Sequence, residues 1–263
     1  REPGGAAMSG LRWNDWLCLP DAALAGDRRI AKTVLTHQAL LTKTEQKVLA
    51  RVASLMHFAT VQKSTTRIPP TQDADHDIQS VVFLRCELAG SSAYAEVAAL
   101  LHKCFPNPTV ILFDGEGRVC VSVAVTRRSL AERGATVIDR VESTGAFDPS
   151  DETYGGFLKT ISFDALPQGD LLSYLEGLVD AVALSRAVAS LGFYPACAPR
   201  DRERLLALVA ERDALDSRIA DLRRQRRDKD ISLNDSAHLR MEIKRLERDA
   251  FDLTNRIKEI CHG

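Results

Sequence analysis

The chain has 263 residues, 45% of them hydrophobic and 27% charged, with Lys plus Arg at 35, Asp plus Glu at 36 and a formal net charge of -1. These values exclude a disordered, collagen-like or membrane-spanning chain and leave one large or two small globular domains. Near-neutral charge also excludes a protein that coats itself in nucleic acid, though not a local basic patch.

Residues 1–10 (REPGGAAMSG) lack the apolar run of a signal peptide and are expected to be a non-native remnant or disordered start, with Met8 as the native first residue. Residues 11–19 (LRWNDWLCL) form a short apolar segment, with Trp13 and Trp16 spaced to share a helical face. RRIAKTVLT (28–36) reads as extended. A helix capped by Thr42 or Thr44 is expected to run to about Met56, because Val48, Leu49, Val52, Leu55 and Met56 keep helical spacing. A β-branched run over 57–68 predicts a strand ended by Pro69-Pro70. The centre is clearer: strand 80–88, helix 93–104, strand 109–114, the turn GEGR (115–118), a returning strand 119–127 and a strand 135–143. Residues 157–166 read as a last extended segment, and 170–191 as a helix closed by Gly192 and Pro195. The fold class is therefore α+β, a mixed α/β sheet domain over 11–197.

From Arg200 onward the chain has no proline and only the terminal Gly263. Leu239, Ile243, Leu246, Ala250, Leu253, Ile257 and Ile260 step by alternating fours and threes, a heptad ladder. Leu205, Leu208, Leu215, Ile219 and Leu222 continue it upstream, with Arg212 in a seam position. The turn DKDISLND (228–235), with Ser232 or Asn234 as a cap, predicts a C-terminal antiparallel helical hairpin or coiled coil over 198–263, its arms about 40 Å long. The seams close either within one chain or in a homodimer.

Candidate chemistry is sparse. Arg223, Arg224, Arg226, Arg227 and Lys229 crowd the hairpin turn and suit phosphates or an acidic partner. The competing reading is a solvated helix end whose cations meet the dipole. Asp75, His76, Asp77, Asp114 and Glu116 offer oxygen and nitrogen ligands near strand ends, as metal-dependent nucleases do, but the lysine such sites use is missing. The histidines have no helical ligand spacing and the six cysteines form no C-x-x-C pair, so no metal, no cofactor and no catalytic residue is expected. Scattered cysteines and the lack of a spanning segment point to a cytoplasmic protein away from membranes.

WLCLP (16–20), RRIAKTVLT (28–36), VVFLRCEL (81–88) and HKCFPNPTVILFD (102–114) follow one another in an order that resembles the bacterial family catalogued as domain of unknown function 4391. Ile30-Ala31-Lys32 matches its Ile-Pro-Lys stretch with alanine for proline. Glu87-Leu88 and the Pro106–Phe113 run match two further short motifs. The resemblance brings no catalytic residue. It implies accessory proteins found beside helicases and DNA methyltransferases in restriction-modification or antiphage loci. The expected function is accordingly a non-enzymatic interaction subunit docking such a partner. The alternatives are a nucleic-acid-binding module through the basic hairpin turn and a degenerate nuclease.

Overall fold

The computed structural model describes residues 13–38, 41–90, 94–105, 107–115, 117–129, 131, 135–227 and 231–262. The chain divides into two compact units, residues 1–149 with 158–179, and residues 150–157 with 180–263.

The first unit is built on a six-stranded sheet of order β1-β2-β5-β6-β7-β8, with β1 (Leu24–Arg29), β2 (Val52–Gln62), β5 (Ser80–Leu88), β6 (Thr109–Gly115), β7 (Arg118–Arg128) and β8 (Thr136–Ser143). β5 and β6 run parallel, joined by the crossover helix α5 (Tyr94–Cys104), and every other pairing is antiparallel. In β6 every residue from Thr109 to Asp114 is buried, as expected of a central strand covered on both faces. Leu84, Cys86, Ile111 and Phe113 turn one sheet face into a core shared with Val97 and Leu101 of α5. β3 (Thr71–Gln72) and β4 (Asp77–Ile78) form a separate small hairpin.

The expected strands 80–88, 109–114, 119–127 and 135–143 and the helix before Pro106 are present, and the Trp13–Trp16 pair sits edge-on in α1 (Trp13–Leu17) with centroids 5.3 Å apart. Elsewhere the boundaries differ. The stretch 28–36 is extended only to Arg29, after which α2 (Lys32–Gln38) begins and Thr36 Oγ1 donates back to the Lys32 carbonyl. The helix expected over 42–56 is α3 (Lys43–Ala50) alone; Val52–Met56 belong to β2, where Val52 faces Leu88 across the ladder. The strand expected over 57–68 stops at Gln62, because α4 (Lys63–Thr66) follows and Arg67 turns left-handed at φ 65°. Residues 157–166 are helical rather than extended: α6 (Gly155–Thr160) and a short 3-10 turn bury Phe157, Leu158 and Ile161 at helical spacing. The helix expected over 170–191 is broken into α7 (Leu171–Ser185) and α8 (Val188–Leu191), ended by Gly192 at φ 77°.

Thr42 is the cap of α3. Its hydroxyl accepts from Glu45 N–H while Glu45 Oε2 accepts from Thr42 N–H, a reciprocal capping box. Lys103 Nζ lies 2.6 Å from Glu45 Oε1, and these bonds hold the Glu45 carboxyl down from the ordinary 4.5 to about 2. A depressed acid stabilises the fold above its ordinary value and loses that contribution as pH falls toward the depressed one. Glu45→Gln is therefore expected to lower the urea midpoint at pH 7, and the gap to the parent should close by about pH 2. A gap independent of pH would show that the charge of Glu45 does nothing for the fold.

The second unit contains α9 (Arg202–Arg226) and α10 (Leu233–His262), packed antiparallel on one another. Ile219 and Leu222 meet Ile243, Leu246 and Ala250 in one buried cluster, so the heptad seam closes within the chain. Arg212 enters the seam at 13% side-chain exposure, donating to Thr254 Oγ1 at 3.2 Å and pairing with Asp216. Ser232, of the two cap candidates, accepts from Asp235 N–H at 3.1 Å and starts α10.

Candidate interaction surface on the helical pair

The arginines at the end of α9 do not act together. Arg223 reaches across to Glu247 at 2.7 Å and Arg224 turns back to Asp221 at 2.6 Å. Exposed pairs like these contribute about 0–1 kcal/mol and mainly neutralise the cations they involve. Arg226 and Arg227 are exposed, and Lys229 lies outside the described residues.

Arg226 instead shares a groove of about 750 Å³ with Ser236, Ala237, Arg240, Met241 and Lys244 of α10. Among the described residues Arg226, Arg240 and Lys244 have no ion pair, so the groove keeps three uncompensated cations around a methionine. Such a groove attracts carboxylates or phosphates and gives an apolar side chain a seat. Arg240 and Lys244 escape a search for clustered charge because they lie well downstream of the turn, brought back by the antiparallel return of the chain.

The heptad arithmetic explains the rest of this surface. With Ile243, Ala250 and Ile257 at a and Leu239, Leu246 and Leu253 at d, Met241 and Arg248 fall at f, and Lys244 and Phe251 at b, opposite the seam. Met241 is 72% and Phe251 64% exposed, the most exposed large apolar side chains of the described residues. The outward face of α10 thus carries Met241 and Phe251 with the basic Lys244 and Arg248 between them.

The other candidates are placed apart. Asp73 Oδ1 accepts from the backbone N–H of Asp75 and of His76, and its Oδ2 lies 3.3 Å from His76 Nδ1, an arrangement that shapes the β3–β4 turn. Asp77 faces Arg128 at 3.5 Å and accepts from Gln79. Asp114 stands at the end of β6, where its Oδ1 accepts from Trp13 Nε1 at 2.7 Å and its Oδ2 from Arg85 Nε at 2.6 Å. Burial pushes the Asp114 carboxyl up, while the Arg85 and Trp13 bonds pull it back. Arg85 also reaches Asp27 and Glu87, both at 3.4 Å, so one guanidinium joins three carboxylates. Glu116 lies outside the described residues. Among the described residues no three His, Cys, Asp or Glu side chains gather as metal ligands.

The family model described as "Domain of unknown function (DUF4391)" matches residues 17–249. The chain belongs to the DUF4391 family. The match runs through the sheet, through α9 and into α10, so the helical pair is part of the DUF4391 region and not an appendage to it. No curated protein and no solved structure matches the chain. Of the short motifs that carried the resemblance to DUF4391, Lys32 opens α2 and Glu87 is a carboxylate of the Arg85 cluster. No helix among the described residues is long and apolar enough to cross a membrane.

Proposed function

We propose that this DUF4391 chain is an interaction subunit whose α9–α10 pair is a docking arm, and that the outward face of α10 receives a protein partner with an acidic surface and an apolar anchor. The observation that carries the reading is the exposure of Met241 beside Arg226, Arg240 and Lys244, which have no ion pair among the described residues, with Phe251 also exposed on the helix face opposite the closed seam. Isolated large apolar side chains backed by complementary charge suit the centre of an interface. In its specific form the partner is a helicase or DNA methyltransferase of a bacterial DNA-processing or antiphage complex, an assignment that rests on the family resemblance. A second reading, nucleic acid held by Arg226, Arg240 and Lys244, is favoured by their lack of carboxylate partners among the described residues.

The test is capture by the full-length chain from its native host, in nuclease-treated and untreated halves, followed by titration of the recovered partner. A stoichiometric protein that survives nuclease, and binds the Met241→Asp/Phe251→Asp variant about 100-fold more weakly, supports the docking arm. Unchanged affinity of that variant refutes it, and a complex lost on nuclease treatment favours the second reading.

A further inference from the structure

The base of the helical pair brings together two cysteines that are far apart in sequence. Cys197 lies in the segment that leads into α9, and Cys261 is in the last turn of α10. Because the helices run antiparallel, the end of α10 returns to the start of α9. Arg212 donates to Thr254 across the seam, and Cys261 stands about two turns beyond Thr254, level with the first turn of α9. Two further observations place the neighbours. The Phe193 and His262 rings have centroids 6.2 Å apart, so the segment before Cys197 packs on the residue after Cys261. The backbone N–H of Ala196, one residue before Cys197, is directed at the Cys261 sulfur.

The other cysteines are placed differently. Cys86, Cys104 and Cys120 are buried and Cys18 is exposed, all four in the first unit, whereas Cys197 and Cys261 are both half-buried in the second. Burial raises both thiols, and at Cys261 the charge of Cys197 adds to the rise, so the two sulfurs feel one another. The Arg202 charge works the other way at Cys197. A disulfide spans about 4.4–6.8 Å between Cα atoms, a separation that suits a sulfur facing the peptide N–H beside the other cysteine.

We infer that Cys197 and Cys261 form a reversible intramolecular disulfide when the chain meets a peroxide. The Cys197 thiolate attacks a peroxide oxygen: an S–O bond forms, the O–O bond breaks, and the departing hydroxide takes up the thiol's proton as water. The Cys261 thiolate then attacks the sulfenic sulfur. The S–S bond forms, the S–O bond breaks, and the second hydroxide leaves as water with the Cys261 proton. The two thiols lose two electrons and one hydrogen peroxide is reduced to two waters. The product closes residues 197–261 into one covalent loop that contains both helices. Nothing in this assignment depends on what α10 docks.

The experiment is treatment of the full chain with hydrogen peroxide, followed by mass spectrometry of the intact chain and, after alkylation of the remaining thiols, of its tryptic peptides. The monomer is expected to lose about 2 Da, two hydrogens. Digestion should yield peptide 187–200 joined to peptide 259–263, a link that dithiothreitol removes. Cys197→Ser and Cys261→Ser should each abolish the link, and Cys18→Ser should leave it in place. The link should form about 10-fold faster at pH 8 than at pH 7, since the thiolate fraction of a raised thiol grows by that factor. Alkylation of both cysteines after treatment, their oxidation to sulfinic acid without the link, equal rates at the two pH values, or a link from Cys261 to a cysteine other than Cys197 overturns the assignment.

Discussion

Trp13→Ala is expected to cost the first unit about 3–5 kcal/mol, the range for emptying a buried aromatic site. Trp13 is 1% exposed, and its ring packs edge-on against Trp16. Its indole N–H is also the donor to Asp114 Oδ1, while Arg85 takes the other carboxylate oxygen. Alanine therefore leaves a void and strips one of the two bonds that offset the burial of Asp114, pushing that carboxyl further up. Trp13→Phe separates the two effects. It keeps most of the volume and deletes the donor, so its cost should fall to about 1–3 kcal/mol, that of a buried acceptor left short. Trp16 is then the single remaining tryptophan, and its fluorescence follows urea unfolding in both variants. A Trp13→Ala midpoint within about 1 kcal/mol of the parent would show that α1 is not fastened to the sheet through Trp13. The same geometry bears on the nuclease reading: both oxygens of Asp114 already accept strong hydrogen bonds, which suits a structural clamp better than a metal ligand.

How far the sequence reveals the fold depends on whether pairing partners are close by. β6 and β7 are joined by a four-residue turn, and α5 is bounded by Pro106 and Pro108, so local signals suffice there. At α3 and β2 they do not. Leu49, Val52 and Leu55 fit a helical stripe, and all three do end in one core cluster. The chain changes from helical to strand period at Arg51, and only the ladder to β5, some thirty residues later, selects the strand. Residues 157–166 fail in the opposite sense, because Phe157, Leu158 and Ile161 are too few to establish a period. For the interaction surface, the ladder in α10 fixes which residues face outward. The turn cluster, counted along the sequence, includes Arg223 and Arg224, which the fold neutralises, and omits Arg240 and Lys244, which it recruits. The Arg85 cluster is invisible beforehand, since it requires the parallel register that sets Glu87 opposite Asp114.

The crossover that creates this register also sets the main pH dependence expected of the fold. His102, on the last turn of α5, is 1% exposed. Its Nδ1 lies 2.5 Å from Thr109 Oγ1 and its Nε2 2.9 Å from Ser122 Oγ. Ser122 donates its single proton to the Glu142 carbonyl at 3.3 Å, so it accepts from His102, and the ring carries its hydrogen on Nε2. Nδ1 then accepts from Thr109. This network serves the neutral imidazole, and burial lowers its pKa from 6.5 to about 4. In the unfolded chain the ring takes up a proton below about 6.5, whereas in the fold it does so only below about 4. The unfolded state binds more protons in that window, so stability falls as pH drops through it, by about 3 kcal/mol in total. The contribution of Glu45 is lost in a lower window, between 4.5 and about 2, so the two steps are distinguishable. Urea midpoints between pH 7.5 and 4 should show the His102 step, and His102→Gln should remove it whatever its own stability at pH 7. A His102→Gln profile with the same slope as the parent over that range would show that the buried His102 ring does not set this pH dependence.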